Sequence, residues 1–229
     1  MSQTKLLLFD VDGTLVHSGG AGRRGMEKAF EEMYGISNGF ERISMFGMTD
    51  PLIFKKALEN NMIPWRREDE ERFKGLYLKF LRSGIHDPHP KKRMMPGVIE
   101  LLDEIQKSPH FIRGLLTGNW REGADIKLGF FDLNRYFEVG AFADDSPIRE
   151  ELVPIAVKRC EDLKGIKLNA REVFIIGDTP LDIQCARPFG ARTVVVATGI
   201  HTKEELLTEG PDFFFPDFGD TGAVLKVFS

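Results

Sequence analysis

The chain has 229 residues, of which 42% are hydrophobic and 29% are charged, and its formal net charge at pH 7 is −4. This length suits one core with a sizeable insertion, and the composition is that of an ordinary soluble protein. Positive charge is not concentrated in the sequence, so we expect no nucleic-acid partner. The apolar N-terminus soon reaches Asp10, which predicts neither a signal peptide nor a membrane span. Cys160 and Cys185 lack metal-ligand spacing, and free thiols favour a cytoplasmic protein.

The first structural signal is the run from Lys5 to Phe9, which is short, apolar and without polar alternation. Such a run predicts a strand buried on both faces of a parallel sheet. Asp10 and Asp12 follow it, and we expect them at the carboxyl end of the strand, where open α/β sheets bind ligands. Gly13 then allows a sharp turn. From these residues alone, the two carboxylates are either a metal and nucleophile site or an ordinary strand-ending turn.

A glycine-rich stretch follows and contains the pattern G-x-G-x-x-G, formed by Gly20, Gly22 and Gly25. In a dinucleotide-binding protein this pattern follows its strand at once. Here the strand ends about ten residues earlier, and the two aspartates are electrostatically wrong for a pyrophosphate. We therefore interpret the glycines as a hinge that leads into a helix, and an oxidoreductase as the weaker alternative.

Residues 18–89 show helical periodicity and no strand signal. Met26, Ala29, Phe30 and Met33 fall on one helical face. Thr49, Asp50 and Pro51 are typical of a helix start. We predict a small all-helical cap at residues 18–89, inserted into a core made of residues 1–17 and 90–229, with hinges at residues 16–22 and 84–96.

Beyond Pro96 the pattern alternates between helices and strands. The predicted strands are residues 111–116, 137–141, 173–176, 193–197 and 213–215. Strands that alternate with helices imply right-handed crossovers, and hence an α/β fold whose mostly parallel sheet has helices on both faces.

Three of these apolar strands end in short polar turns, which are Asp10–Asp12, Thr117–Asn119 and Gly177–Asp182. The carboxyl ends of parallel strands share one edge of the sheet, so four carboxylates and a hydroxyl should meet in one cleft. Carboxylates about 4 Å apart repel by about 4 kcal/mol at an effective dielectric constant of about 20, so the cluster is costly without a cation. Oxygen-only ligands predict Mg²⁺.

At these turns the chain resembles the haloacid dehalogenase-like hydrolase superfamily. Asp10–Leu15 matches its first motif, Thr117–Asn119 its second and Gly177–Asp182 its fourth. The end of the chain, from Ala197 through Phe213, is similar to the phosphoglycolate phosphatase-like branch. The resemblance covers essentially the whole chain, and it implies a Rossmann-like core with an inserted helical cap.

The resemblance also implies residue roles. Asp10 would be the nucleophile that becomes an aspartyl phosphate. Asp12 would be the general acid and would bind the metal through its carbonyl. Asp178 would be the remaining protein ligand of Mg²⁺, with Asp182 supporting the loop or the metal's water shell.

The phosphoryl oxygens would be held by Thr117, Gly118 and Asn119. The third motif departs from the family pattern, which has a lysine followed by a proline after the strand near residue 140. We expect Arg149 to replace this lysine, with Lys158 as the reserve candidate.

Asp12 also discriminates between reactions, because relatives that cleave carbon–halogen bonds lack an acid at this position. The resemblance therefore implies a phosphatase acting on a small phosphate ester, with a sugar phosphomutase as the alternative and a non-catalytic binding role disfavoured. His17, Arg23, Met48 and Thr49 are the candidate substrate contacts. The oligomeric state cannot be read from the sequence.

Overall fold

The computed structural model describes residues 4–228. The strands within this range are β1 (Lys5–Phe9), β2 (Val16–His17), β3 (Arg93–Met94), β4 (Phe111–Leu116), β5 (Val139–Ala141), β6 (Val173–Gly177), β7 (Arg192–Val196) and β8 (Phe213–Phe215). The α-helices are α1 (Ala21–Tyr34), α2 (Asp50–Asn60), α3 (Arg67–Gly84), α4 (Val98–Gln106), α5 (Arg121–Phe130), α6 (Arg149–Lys164), α7 (Pro180–Ala186), α8 (Lys203–Thr208) and α9 (Thr221–Val227). None of these helices is long and apolar enough to span a bilayer.

Six strands form a parallel sheet in the order β5-β4-β1-β6-β7-β8. β1 lies at the centre, between β4 and β6, so the three polar turns that follow these strands are neighbours at one edge. The predicted α/β class is thus confirmed. One strand is shorter than predicted, because β5 begins only at Val139, where pairing with Gly114 of β4 starts.

Side-chain alternation along the central strand explains why helices cover both faces of the sheet. Leu7 and Phe9 pack in one hydrophobic cluster with residues of α4, α5 and α9. Leu6 and Leu8 point to the opposite face and pack with residues of α6 and α7. Each face of β1 therefore has its own apolar layer, as expected for a strand without polar alternation.

Helices α1, α2 and α3 lie outside the sheet and pack around their own aromatic cluster. Phe54 and Phe73 stack with ring centroids 4.1 Å apart, and Phe30 contacts both rings edge-on. We call residues 18–89 the helical insert, and we propose these residues as its boundaries. The two chain segments that flank it pair as an antiparallel ribbon of β2 and β3, in which Val16 faces Met94.

The glycine pattern at the start of the insert has a packing function. Gly20 precedes α1 with a φ of 78°, and Gly22 and Gly25 lie inside the helix. A Cβ atom at Gly25 would lie 3.3 Å from the ring of Tyr77 on α3, and one at Gly22 would lie 3.2 Å from the Nζ of Lys127. These glycines let α1 approach α3 and the core closely, and they lead into a helix as expected, whereas the hinge stays a prediction.

Candidate active site

Asp10 lies directly after β1, and its backbone N–H donates to the carbonyl of Ile176 at 2.9 Å. The residue is only 5% exposed. Burial raises the pKa of Asp10 to about 6; the charges of Asp182 and Asp12 add to this rise, whereas Arg149 opposes it. The Arg149 guanidinium lies 3.3 Å from the Asp10 carboxylate. Asp10 thus lies in a buried site that favours cations.

Three carboxylates meet at this edge of the sheet. Asp10, Asp178 and Asp182 each offer an oxygen within 4.8 Å of the others, and all three are buried. Burial, together with the charges of Asp182 and Asp10, raises the pKa of Asp178 well above its usual value. The Thr14 hydroxyl donates to Asp178 at 2.8 Å. The arrangement disfavours the charged forms unless a cation balances them.

Two glycines enclose the Asp178 carboxylate. A Cβ atom at Gly13, whose φ is 89°, would lie 2.3 Å from Oδ2 of Asp178, and one at Gly199 would lie 1.8 Å from the same oxygen. Any side chain at either position would therefore displace the carboxylate. Gly199 follows β7, and sequence reasoning did not identify it as part of the site.

The donor set fits a hard divalent cation, because all of its atoms are oxygens. The Asp182 carboxylate already accepts hydrogen bonds from the Arg149 guanidinium, from the Thr179 N–H at 3.0 Å and from the Thr179 hydroxyl at 2.7 Å. This leaves Asp10 and Asp178 as the side chains best placed to hold a metal. The supporting role of Asp182 stays a prediction.

The carboxylate of Asp12 is not part of this group. Its Oδ2 accepts hydrogen bonds from the side-chain amide of Asn119, at 3.0 Å, and from the ammonium group of Lys127. The side chain of Asp12 is 41% exposed, whereas that of Lys127 is 5% exposed. Asp12 thus faces open space next to the carboxylate group. Its predicted metal contact through the backbone carbonyl stays a prediction.

Lys127 is a site residue that the sequence analysis missed. It lies on α5, and the buried face of this helix also contains Ala124 and Leu128. A lysine in the apolar stripe of an amphipathic helix is the signal that could have found it, because lysine is rarely buried without a partner.

The turn after β4 brings together the predicted phosphate-binding residues. The hydroxyl of Thr117 accepts from the side-chain amide of Asn119 at 2.8 Å and from its backbone N–H at 3.3 Å. Thr117 is fully buried and Asn119 is 6% exposed. Gly118 permits a close approach, since a Cβ atom there would lie 2.3 Å from the carbonyl oxygen of Met48.

Arg149 occupies the position predicted for the basic residue of the third motif. Its guanidinium donates to the Asp182 carboxylate and, at 3.0 Å, to the carbonyl of Gly47. Burial lowers the pKa of Arg149, but the charges of Asp182 and Asp10 raise it by more than this amount. The pKa of Arg149 therefore lies above its usual value. The reserve candidate Lys158 instead pairs with Asp162 on an exposed part of α6. The geometry therefore favours Arg149 over Lys158.

The candidate substrate contacts lie in different places, with His17 in β2 and Arg23 and Thr49 in the insert. The Thr49 hydroxyl donates to the carbonyl of Pro147 at 2.7 Å, so it joins the insert to the core. The Nδ1 of His17 accepts from the Gly19 N–H at 3.0 Å. Arg23 pairs with Glu27 and donates to the carbonyl of Phe40, which are contacts within the insert itself.

The sequence model described as "Haloacid dehalogenase-like hydrolase" matches residues 7–196, which include all three polar turns. The chain belongs to this family. The resemblance seen in the motifs is confirmed, and the protein is an enzyme of the hydrolase class. We refer to it below as the hydrolase.

Named relatives extend over nearly the whole hydrolase. It is 27% identical over 224 residues to a protein named pyrophosphatase PpaX from Caldanaerobacter subterraneus subsp. tengcongensis, with 96% of this chain and 94% of that protein covered. It is 26% identical over 214 residues to a phosphoglycolate phosphatase from Pseudomonas savastanoi pv. phaseolicola, with 93% and 76% covered. The crystal structure of a hydrolase from Pseudomonas syringae has the same fold, with a TM-score of 0.74, 22% identity and 98% of both chains covered.

Proposed function

We propose that the hydrolase is a Mg²⁺-dependent phosphatase that releases inorganic phosphate from small organic phosphomonoesters of the phosphoglycolate type. The observation that carries this proposal is the buried group of Asp10, Asp178 and Asp182 with Arg149 beside it. Asp12 stands next to this group and faces open space. The names of the relatives, a phosphoglycolate phosphatase and a pyrophosphatase, support phosphoryl transfer as the reaction.

In the proposed mechanism, a carboxylate oxygen of Asp10 attacks the phosphorus of the ester and the bond to the leaving oxygen breaks. Asp12 donates a proton to that oxygen, so that a neutral alcohol leaves. Asp12 then takes a proton from a water molecule, which attacks the aspartyl phosphate. The products are inorganic phosphate and the regenerated Asp10 carboxylate.

The remaining residues supply position and charge, which dominate the catalysis of phosphoryl transfer. Arg149 would balance the charge of Asp10 and the incoming phosphate. Thr117 and Asn119, with the N–H of Gly118, would bind the phosphoryl oxygens. Bound to Asp10 and Asp178, Mg²⁺ would draw the phosphate close to the nucleophile and stabilise charge in the transition state.

The substrate is small in this proposal because the insert lies directly over the phosphate-binding turn. The carbonyl oxygen of Met48 would lie 2.3 Å from a Cβ atom at Gly118, and the backbone N–H of Asp50 donates to the carbonyl of Gly118 at 2.7 Å. A small-molecule phosphate ester therefore fits better than a protein substrate.

The test is phosphate release from 2-phosphoglycolate, 2-hydroxyethyl phosphate, glucose 1-phosphate and pyrophosphate, with Mg²⁺ or with EDTA. We expect Mg²⁺-dependent release by the wild type and none by Asp10→Asn, which keeps the shape of the nucleophile but removes its charge. Conversion of glucose 1-phosphate to an isomer without phosphate release would instead favour the phosphomutase alternative. No turnover of any ester would overturn the proposal.

A further inference from the structure

Four residues of the helical insert, Gly47–Asp50, contact the core at its second, third and fourth motifs, and we call them the docking segment. Gly47 accepts from Arg149 at 3.0 Å, and Thr49 donates to the carbonyl of Pro147 at 2.7 Å. A Cβ atom at Gly47 would lie 2.6 Å from the hydroxyl of Thr179. The docking segment thus fits against the core without space for larger side chains.

Asp50 ends the docking segment and holds the phosphate-binding turn on both sides of Asn119. Its backbone N–H donates to the carbonyl of Gly118 at 2.7 Å. Its carboxylate accepts from the backbone N–H of Trp120 at 2.8 Å. One residue of the insert therefore bonds both residues that flank Asn119.

These bonds continue to the reacting groups through Asn119. The side-chain amide of Asn119 donates to Asp12 and to Thr117, and its carbonyl oxygen accepts from Lys127. A shift of the turn would therefore move the phosphate-binding residues and the partner of Asp12 together. These hydrogen bonds connect the insert to Asp12, and none of them involves the substrate.

The buried carboxylate of Asp50 lowers the stability of the folded protein. It is 5% exposed, and burial raises its pKa to about 7 against the opposing effects of Lys127 and the Trp120 N–H; Asp12 and Asp144 raise it further. A neutral residue at the first position of α2 would avoid this cost. Costly groups of this kind are expected at functional positions.

We propose that Asp50 is a positioning residue, through which docking of the helical insert sets the geometry of the phosphate-binding turn at Gly118, Asn119 and Trp120. It acts through the turn and does not contact the substrate. The insert then serves as more than a cover, because the turn is held on both sides only while the insert is docked. This inference rests on the proposed phosphatase function.

The first experiment compares Asp50→Ala, Asp50→Asn and the control Asp144→Ala. Asp144 also links the core to the insert, through an ion pair with Lys74, and its carboxylate accepts from the backbone N–H of Arg121. It does not bond to residues 117–120 in the described structure, so it tests the effect of a neighbouring contact outside the turn. We expect Asp50→Ala to lower kcat/KM by about 10- to 100-fold, because small displacements of positioned groups cost this much. Asp50→Asn should retain most of the activity, since an amide oxygen also accepts from the Trp120 N–H.

The loss in Asp50→Ala should be the same for 2-phosphoglycolate and for 2-hydroxyethyl phosphate, because Asp50 acts on the phosphoryl side that both esters share. A loss confined to one of the esters would instead indicate direct contact with the leaving group. That outcome, or an equal loss in Asp144→Ala, would overturn the proposal.

A second measurement reports on the contact without turnover. The chain has two tryptophans, so ¹⁵N-tryptophan labelling gives two backbone amide signals, from Trp65 and Trp120. We expect the Trp120 signal to move between about pH 6 and about pH 8 in the wild type and in Asp144→Ala, and to move much less in Asp50→Asn, in which only more distant groups such as Asp10 titrate. Movement of the same size in Asp50→Asn would contradict the inferred contact. If no ester is hydrolysed, the proposed function fails, whereas this titration still decides whether Asp50 holds the turn.

Discussion

The ammonium group of Lys127 contacts the carboxylate of Asp12, 115 residues away in the chain. The same group donates to the side-chain carbonyl of Asn119. Lys127 is buried, so its charge is balanced inside the protein rather than by solvent. The proposed acid and the phosphate-binding turn therefore share one cation, which fixes their relative position.

Lys127→Met should reduce kcat by about 10- to 100-fold, because the acid loses the partner that orients it and with it part of the about 100- to 10,000-fold that a general acid contributes. KM should change less, since Lys127 is not among the proposed phosphate ligands. The matched control is Lys167→Met, which removes an exposed ion pair with Glu161 and should leave kcat unchanged. An unchanged kcat in a folded Lys127→Met protein would show that the contact does not position Asp12.

Asp178→Asn should raise the thermal unfolding midpoint in EDTA, because it removes one of the buried charges that crowd Asp10 and Asp182. Added Mg²⁺ should reverse this order, since an ion that binds only the folded state stabilises that state. The variant lacks the Asp178 carboxylate that would hold the ion, so Mg²⁺ should stabilise it less than the wild type. Differential scanning fluorimetry of both proteins, with and without Mg²⁺, checks this. If the thermal unfolding midpoint of the wild type did not change with Mg²⁺, this would contradict the metal site.

Arg149→Met should lower the free energy of unfolding by about 3–5 kcal/mol, because removing one partner of a buried pair leaves uncompensated carboxylates. Urea denaturation measures this loss. Arg149→Lys should keep the charge but lose the simultaneous bonds to Gly47 and Asp182, and its kcat/KM should fall. Lys158→Met is the control and should behave as the wild type, because Lys158 pairs with Asp162 on the surface. Loss of activity in Lys158→Met would instead indicate that Lys158 is the basic residue of the third motif.

Asp50→Asn should stabilise the protein more at about pH 8 than at about pH 5. The folded-state pKa of Asp50 is about 7, above its ordinary value of 3.8. The folded protein therefore holds a proton that the unfolded chain has released, and stability is lost as the pH rises from about 4 through about 7, by an amount on the order of 2–4 kcal/mol. Asparagine does not titrate and avoids this loss. Unfolding midpoints of both proteins across this range give the comparison, and a difference that is constant with pH would contradict the raised pKa.

Much of the fold follows from short-range sequence signals. The runs at residues 5–9, 111–116 and 213–215 form strands with the predicted boundaries, because each is apolar and bounded by polar or turn-forming residues. The strand at 173–177 extends one residue beyond the predicted end, and the strand at 192–196 begins and ends one residue earlier than predicted. The polar turns could be assigned to one edge because parallel topology alone brings the carboxyl ends of strands together.

Other features were decided only by tertiary structure. The two-residue strands β2 and β3 carry no periodic signal, and they form because the segments flanking the helical insert meet across 75 intervening residues. Asp12 lies two residues after Asp10, yet its carboxylate joins Lys127 and not the buried carboxylate group. The sequence also left Arg149 and Lys158 as alternatives for the third motif, and only the tertiary structure brings Arg149 within 3.3 Å of Asp10.

The sequence by itself determined the alternation of strands and helices, the acidic edge of the sheet and the family, since these depend on local patterns and motif spacing. The partners of Asp12 and of the phosphate-binding turn depend on contacts over long distances in the chain, as between Asp50 and Trp120, which are 70 residues apart. No periodicity encodes such pairs, because they arise from the docking of separately formed units. The way in which Lys127 and Asp50 complete the site could therefore be seen only in the folded protein.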